Sequence, residues 1–555
     1  GKMGRSGATP LAAFLHGTPP VHGPYSLLAY LKKIFASLSD IKALPLPPGY
    51  RKQLEDMVGQ VHFWLADQDY MLDAGLWTAK EFTDSLEKNG LYVLRDERGK
   101  PLTPTDEVFY TVYKNGMSGY QYGEFKRKEV FAAGINVIEE AMVFSLLTGR
   151  AGEIVGAMVL DYARGRLYTV RAKSVILATG HTNWLSKRAT GTREMAANGL
   201  AMGARAGAEL HNLEIQWFHA SDAAYPDSWM RLHHYPNRWP ETPHQSVMMN
   251  SDGEVYMHSE DYDTSIPYTI QMKMLCQQVM KGKARWDGGG FTNYQLADPV
   301  VMKKHSYNWE FYERLGLDGC KDLMECAITW HMSAGGISAN LKTMETRVPG
   351  LFIAGPVGGH QLGGVNMASY DGVVAGAQAA RCSRTTNLGE LDDTQVRTCE
   401  QRVDAFISQA GRGSVSPIQV KRQIRDIVWN KVMFIKDEQN LNQALAQLEA
   451  IREEAIPNMG LRTNSVRYNT DLMDALDVQD MVEVLEMVIH ACLARKESRG
   501  PHFREDFPFT DNRNWLKYVV VSRDAEKVST RLEPIRQKYV RPKSEILDYF
   551  ANPFS

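Results

Sequence analysis

Two places in this 555-residue chain carry residue types that let a ligand approach a sheet closely. One is Ser174-Val175-Ile176-Leu177-Ala178-Thr179-Gly180, an apolar run that reads as a strand ending in small residues. The other is Leu351-Phe352-Ile353-Ala354-Gly355-Pro356, introduced by Val348-Pro349-Gly350. Small residues at a strand's carboxyl end leave room for a ligand at the edge where open α/β sheets bind nucleotides. Gly358-Gly359-His360-Gln361-Leu362-Gly363-Gly364-Val365-Asn366 comes after the second strand, and residues 369–380 continue it as an Ala- and Gly-rich stretch. A glycine-dense turn leading into a small-residue helix aims the positive end of its dipole at an anionic or polar ligand group. His331 precedes a Gly-Gly turn of its own, Gly335-Gly336.

The rest of the chain must position these turns. With Lys+Arg 63 against Asp+Glu 65, the formal net charge is -2, which argues against a polyanion-binding surface and so against nucleic acid. At 44% hydrophobic and 23% charged the composition is globular. The six cysteines form no C-x-x-C pair, a spacing that fits reduced thiols in a cytoplasmic protein and neither an iron–sulfur nor a structural zinc site. No run of about 18 apolar residues is present, so an integral membrane protein is not expected. Residues 1–50 are broken by Gly17-Thr18-Pro19-Pro20 and Pro45-Leu46-Pro47-Pro48, and residues 51–100 read as amphipathic helices. Strand patterns come next at Ile135-Asn136-Val137-Ile138, residues 141–147, 154–160 and 167–170. Residues 212–325, rich in Trp, Tyr, His and Met, suggest an inserted domain with irregular loops. From about Leu391 the pattern is helical, at residues 419–437, 440–454 and 478–495.

Several segments together resemble the flavoproteins of the succinate dehydrogenase and fumarate reductase family. They are Ala178-Thr179-Gly180, Asn198-Gly199-Leu200-Ala201-Met202, Glu214-Ile215-Gln216-Trp217-Phe218-His219, and His331-Met332-Ser333-Ala334-Gly335-Gly336-Ile337. The Pro349 to His360 segment and the C-terminal Glu497-Ser498-Arg499-Gly500-Pro501-His502-Phe503-Arg504-Glu505-Asp506 join them, in the family's order. The resemblance implies an α/β fold: a Rossmann-like FAD-binding domain (residues 1–211, returning at 336–385), an inserted capping domain (212–335) and a C-terminal helical domain (386–555). It implies FAD contacts at Ser6, Gly7, Ala8, Thr9, Ala13, Met142, Ala178, Thr179, Gly180, Asn198, Gly355, Asn366, Met367 and Ser369. The chemistry implied is hydride exchange between flavin N5 and a substrate carbon, with an acid/base for the second proton.

Departures from the family pattern are informative. The G-x-G-x-x-G turn with which the family begins is absent, and Gly1 to Thr9 looks like the stretch just after that unit, so the sequence reads as lacking its native N-terminus. Gly7 stands where many respiratory members carry the flavin-bonding histidine, which implies non-covalent FAD, and Pro356 replaces a usual acidic residue. His331 and His360 match the family's two substrate histidines, His219 falls on the cleft wall, and Lys273 takes the place of the proton-donating arginine. The arginine that usually comes after the second histidine is missing, since Gln361-Leu362-Gly363-Gly364 runs directly on. A small-molecule substrate other than succinate or fumarate is therefore expected, with electrons exchanged with an iron–sulfur protein or a quinone. Two alternatives remain: a flavoprotein resembling adenylylsulfate reductase, with an iron–sulfur partner, and a non-catalytic binding or assembly protein that lost its cofactor.

Overall fold

The computed structural model describes residues 3, 15–16, 55, 58–59, 62–82, 85, 88, 110–111, 118–225, 247–258, 268–295, 299–300, 303, 309–360, 364–524 and 527–551. In chain order the elements that matter here begin with strands β1 (Ala141–Thr148), β2 (Ile154–Asp161), β3 (Arg166–Arg171) and β4 (Val175–Leu177). Helix α1 (Asn198–Arg205), strands β5 (Gln216–Ala223), β6 (Val247–Met249) and β7 (Val255–His258), and helix α2 (Tyr268–Met280) come next. Then come β8 (Gly290–Asn293), β9 (Met324–Ser333), β10 (Leu351–Ile353) and α3 (Gly364–Thr385). Helices α4 (Pro417–Ile427), α5 (Glu438–Ala450) and α6 (Thr470–Ala494) precede a hairpin of β11 (Lys517–Asp524) and β12 (Lys527–Pro534).

β4 and β10 are parallel neighbours, with Ile353 opposite Leu177, so their carboxyl ends lie side by side. That places the two small-residue turns together, and the Ala354 N–H closes the gap by donating to the Leu177 carbonyl (2.9 Å). β1, β2 and β3 form a separate antiparallel sheet whose middle strand is buried throughout, as its unbroken apolar sequence requires. Residues 212–325 are more regular than their composition suggests. They contribute to a five-stranded antiparallel sheet ordered β7-β6-β8-β9-β5, with α2 packed on β5. β6, β7 and β8 are only three or four residues long, too short to show period-two alternation, and pairing with neighbours sets the structure instead.

The C-terminal helices form where the apolar spacing places them. α6 is buried along its length, and its acidic row Asp471, Asp474, Asp477 and Asp480 is buried with it, Lys421 donating to Asp474 (2.8 Å) and Asp477 (2.7 Å). Asn469 caps it, its side chain accepting from the Leu472 N–H (3.1 Å). Two expectations fail locally. Ile135-Asn136-Val137-Ile138 forms no strand: it comes after Gly134, pairs with nothing in the described sheets, and leaves Ile135 and Ile138 more than half exposed. The region after residue 386 is not wholly helical, because residues 517–534 make a hairpin whose first strand joins the sheet containing Leu210–His211.

Candidate active site

The loop leaving β4 carries Ala178 and Thr179, both exposed, and Gly180 in a left-handed conformation (φ 78°). α1 starts against it so closely that a Cβ at Gly199 would lie 1.8 Å from Thr179 Oγ1, so only glycine fits there. The same loop is fastened to β9. Thr182 Oγ1 and Ser333 Oγ are 2.9 Å apart, Asn183 Nδ2 donates to the His331 carbonyl (2.8 Å), and the Ser333 N–H donates to His181 Nδ1 (3.4 Å). His181 must be neutral to accept, and burial lowers its pKa to about 3.

On the β9 side, His331 is half-buried and stacks on His219 of β5, with ring centroids 3.9 Å apart and planes 24° apart. Nδ1 of His331 is 2.8 Å from Thr190 Oγ1, and Nδ1 of His219 is 3.0 Å from Asp222 Oδ1. Trp217 adds a third ring, 6.0 Å from His331. The structure thus brings together two of the four expected catalytic residues. Thr190 and Asp222 are partners that the sequence reading missed.

His360 and Lys273 have other surroundings. His360 is buried on the turn after β10, where Gly359 takes a positive φ (58°) and packs on Gly335 so tightly that a Cβ would lie 1.9 Å from the Gly335 carbonyl carbon. Nε2 of His360 meets Asp371 Oδ2 (3.1 Å), and Asp371 also accepts from the Gly355 N–H (3.0 Å) and the Tyr70 hydroxyl (2.8 Å). Burial, with Asp371 adjacent, holds the Tyr70 hydroxyl well above its ordinary pKa. Asp371 therefore reaches from α3 to the turn where Pro356 replaced the usual acidic residue. Tyr370-Asp371-Gly372 lies inside α3. Lys273, on α2, is buried. Its Nζ donates to the Tyr549 carbonyl (3.0 Å) and sits 4.0 Å from the Tyr549 ring centroid, and burial pulls its pKa well below 10.5.

Ser6, Gly7, Ala8, Thr9 and Ala13 lie outside the described residues, as do Trp229, His233 and His234. Among the other expected cofactor contacts, Gly355, Asn366, Met367 and Ser369 gather where β10 passes into α3. Asn366 is buried, and its Oδ1 has no hydrogen-bond partner among the described residues, an orphaned acceptor that a ligand N–H would satisfy. Ser369 Oγ donates to the Val365 carbonyl (2.7 Å) and lies 2.6 Å from the Tyr122 hydroxyl. Met142 is half-buried on β1 opposite Leu160. Asn198 turns toward α6, its Nδ2 donating to Asp477 (3.0 Å) and Asp480 (2.7 Å). The orphaned acceptor, the exposed Ala178 and Thr179, and the small-residue start of α3 fit a bound flavin nucleotide.

The C-terminal motif is a buried ion network. Arg495 donates to Glu214 (2.6 Å) and Glu497 (2.9 Å), Arg499 donates twice to Glu497 (2.7 and 3.0 Å), and all four side chains are fully inaccessible. Glu214 lies just before β5, and Arg499 also donates to the Phe63 carbonyl (3.2 Å). The motif therefore sets the strand that carries His219 and Asp222.

Fold and site define an FAD-dependent oxidoreductase built on an α/β FAD-binding fold with capping and C-terminal helical parts. The chain is similar to the flavoproteins of the succinate dehydrogenase/fumarate reductase family. Residues 421–546 match the family model described as the fumarate reductase flavoprotein C-terminus. One chain of the CoM/CoB fumarate reductase of Methanothermobacter marburgensis is 26% identical over 429 residues, covering 75% of this chain and 76% of that one. The fumarate reductase flavoprotein of Escherichia coli is 24% identical over 429 residues, covering 72% and 69%. Among solved structures, E. coli quinol fumarate reductase superposes with a TM-score of 0.79 at 19% identity, covering 98% of this chain and 92% of that one. Adenylylsulfate reductase of Archaeoglobus fulgidus gives 0.75 at 19%, covering 98% and 91%, a shared fold. No described helix is long and apolar enough to cross a membrane.

Proposed function

We propose that the chain holds FAD without a covalent bond and reacts with a small-molecule substrate, other than succinate or fumarate, beside His219 and His331. When bound, the flavin supplies two-electron hydride exchange. The observation that carries the reading is the fastening of the β4 loop to β9. Thr182, Asn183 and His181, which come directly after Ala178, Thr179 and Gly180, bind Ser333 and the His331 carbonyl, which supports one site for cofactor segment and imidazole pair. Asn366 supports the cofactor half.

Against a dicarboxylate stands the run Gln361-Leu362-Gly363-Gly364, which offers no guanidinium after His360. Loss of one bidentate arginine–carboxylate pair in a partly buried site costs about 2–5 kcal/mol, or roughly 30- to several thousand-fold in binding. Trp217, over the histidine pair, suits a larger, partly aromatic substrate. All six cysteines are free thiols, and the electron partner of this reading is a separate iron–sulfur protein or a quinone.

The test starts with the purified yellow protein. Acid precipitation should leave all the flavin in the supernatant, and flavin fluorescence retained on the denatured chain would refute non-covalent binding. Flavin-loaded enzyme should show negligible succinate oxidation or fumarate reduction. Ordinary turnover of either, with a micromolar Michaelis constant, would overturn the substrate assignment.

A further inference from the structure

We propose that Asp222 is a positioning residue that fixes the His219 tautomer, so that Nε2 of His219 is the atom exchanging a proton with the substrate. This rests on the reading of the site above and assigns to His219 the proton transfer for which the resemblance offers Lys273.

Residues three apart on a regular strand face opposite sides of the sheet, so His219 and Asp222 should point apart. They do not, because the β5–β9 ladder is irregular at this point. His219 stands opposite Thr329 and Asp222 opposite Ala327, so three steps along β5 match two along β9. One extra residue on β5 makes a bulge, and the bulge returns Asp222 to the side of His219. A second irregularity of opposite sense lies right beside it. Phe218 pairs with Trp330 and Trp217 with Met332, which leaves His331 as the extra residue on β9. The two bulges cancel, so the ladder recovers its register on either side of the site. Between them His219, Asp222 and His331 converge in the middle of a buried sheet.

The chemistry comes from the contacts. The Asp222 side chain is fully inaccessible, and an ionised carboxylate only accepts, so His219 must present Nδ1–H to it. That fixes the tautomer and leaves Nε2 as the basic nitrogen, the arrangement by which a carboxylate orients a catalytic imidazole. Two imidazoles stacked at 3.9 Å resist carrying charge together. The carboxylate stands at Nδ1 of His219, while Thr190 stands at Nδ1 of His331. With FAD bound, the cofactor would supply hydride exchange at one substrate carbon, and His219 Nε2 would give the other carbon its proton, which solvent would later replace. Oxidation runs the same transfers in reverse. Lys273, by contrast, spends a hydrogen bond on the Tyr549 carbonyl and lies over the Tyr549 ring.

The experiment is nitrogen-15 NMR of the flavin-loaded protein labelled at histidine, with the His219 signals assigned by their loss in His219→Gln. The wild type should show one His219 tautomer, Nδ1–H, with a low-field proton typical of a carboxylate partner. Asp222→Ala should abolish that proton and shift the population to Nε2–H, while Asp222→Glu should restore Nδ1–H at least in part. The wild-type spectrum suffices if the alanine variant fails to fold. An Nε2–H tautomer in the wild type, or an unchanged tautomer in Asp222→Ala, would overturn the inference with the flavin still bound. Wild-type protein that carries no flavin would instead overturn the functional reading on which it rests.

Discussion

Lowering the pH from 7 to 5 should loosen the walls of the site before any ordinary carboxylate titrates. His62, His181 and His211 are buried, and burial lowers their pKa values to about 4, about 3 and about 3. Each stays neutral in the folded chain but takes up a proton near pH 6.5 when unfolded. The unfolded state then binds more protons, so the stabilisation is complete above pH 6.5 and falls away as the pH drops toward the folded values. Integrated between pH 7 and pH 5, the loss is about 2 kcal/mol for each histidine, or roughly 5–6 kcal/mol for the three. That is comparable with the whole stability of many domains. Glu214 and Asp477, whose pKa values burial raises, act in the opposite direction, so differences between variants are the cleaner measure. His181→Asn and His211→Gln each remove one titrating ring. Urea unfolding of flavin-loaded protein at pH 7, 6 and 5 should show each variant losing about 2 kcal/mol less than wild type over the range. A variant with the wild-type dependence would mean that its histidine takes the proton inside the folded protein, and the reasoning would be wrong for that site. His181 has a further consequence, since protonation removes the acceptor used by the Ser333 N–H and frees the β4 loop from β9.

Two more outcomes are expected from other parts of the structure. Asn366→Leu removes the orphaned acceptor while keeping the volume, so flavin affinity should fall about tenfold or more with the fold intact; flavin titration by fluorescence quenching checks this, and unchanged affinity would exclude Asn366 from the cofactor site. Glu497→Gln leaves Arg495 and Arg499 undercompensated in a fully buried network and should destabilise the protein by about 3–5 kcal/mol, measured by urea midpoint, with a change below about 1 kcal/mol counting against the network's role.

The turns of the proposed cofactor half were legible in the sequence because steric demands wrote them there. Gly199 must clear Thr179, Gly359 must clear Gly335, and small residues end both parallel strands. Such constraints act on the residue itself, so they show in a single chain. The C-terminal motif was equally visible, but its part is to hold Glu214 and thereby β5. Contacts across long separations were not legible. Nothing near Lys273 announces that its ammonium will meet Tyr549, 276 positions away, or that Tyr70 will reach Asp371. The hairpin at residues 517–534 was missed because its second strand is mostly exposed and rich in charge, so it lacks the apolar alternation of a half-buried strand.

In the proposed reacting half His219 and His331 stood out in the sequence, but Asp222 was hidden for a more specific reason. Pattern reading assumes that a strand keeps its period of two, and the residues that matter sit where that period is broken on both strands. With regular pairing Asp222 would face away from His219, and His331 would be one more paired residue. The two bulges undo this at almost no cost in ladder length, since each inserts one residue and the flanking pairs stay in register. A buried carboxylate next to a histidine is tolerable only when both are satisfied by such a contact. The spacing His219-Ala220-Ser221-Asp222 therefore acquires chemical meaning only once the register is known. The same logic bears on substrate choice, because the ring that stacks on His219 is the residue left unpaired by the second bulge. Moving that bulge by one position would send His331 to the far side of the sheet and leave Thr190 and the Asn183 amide without their partner.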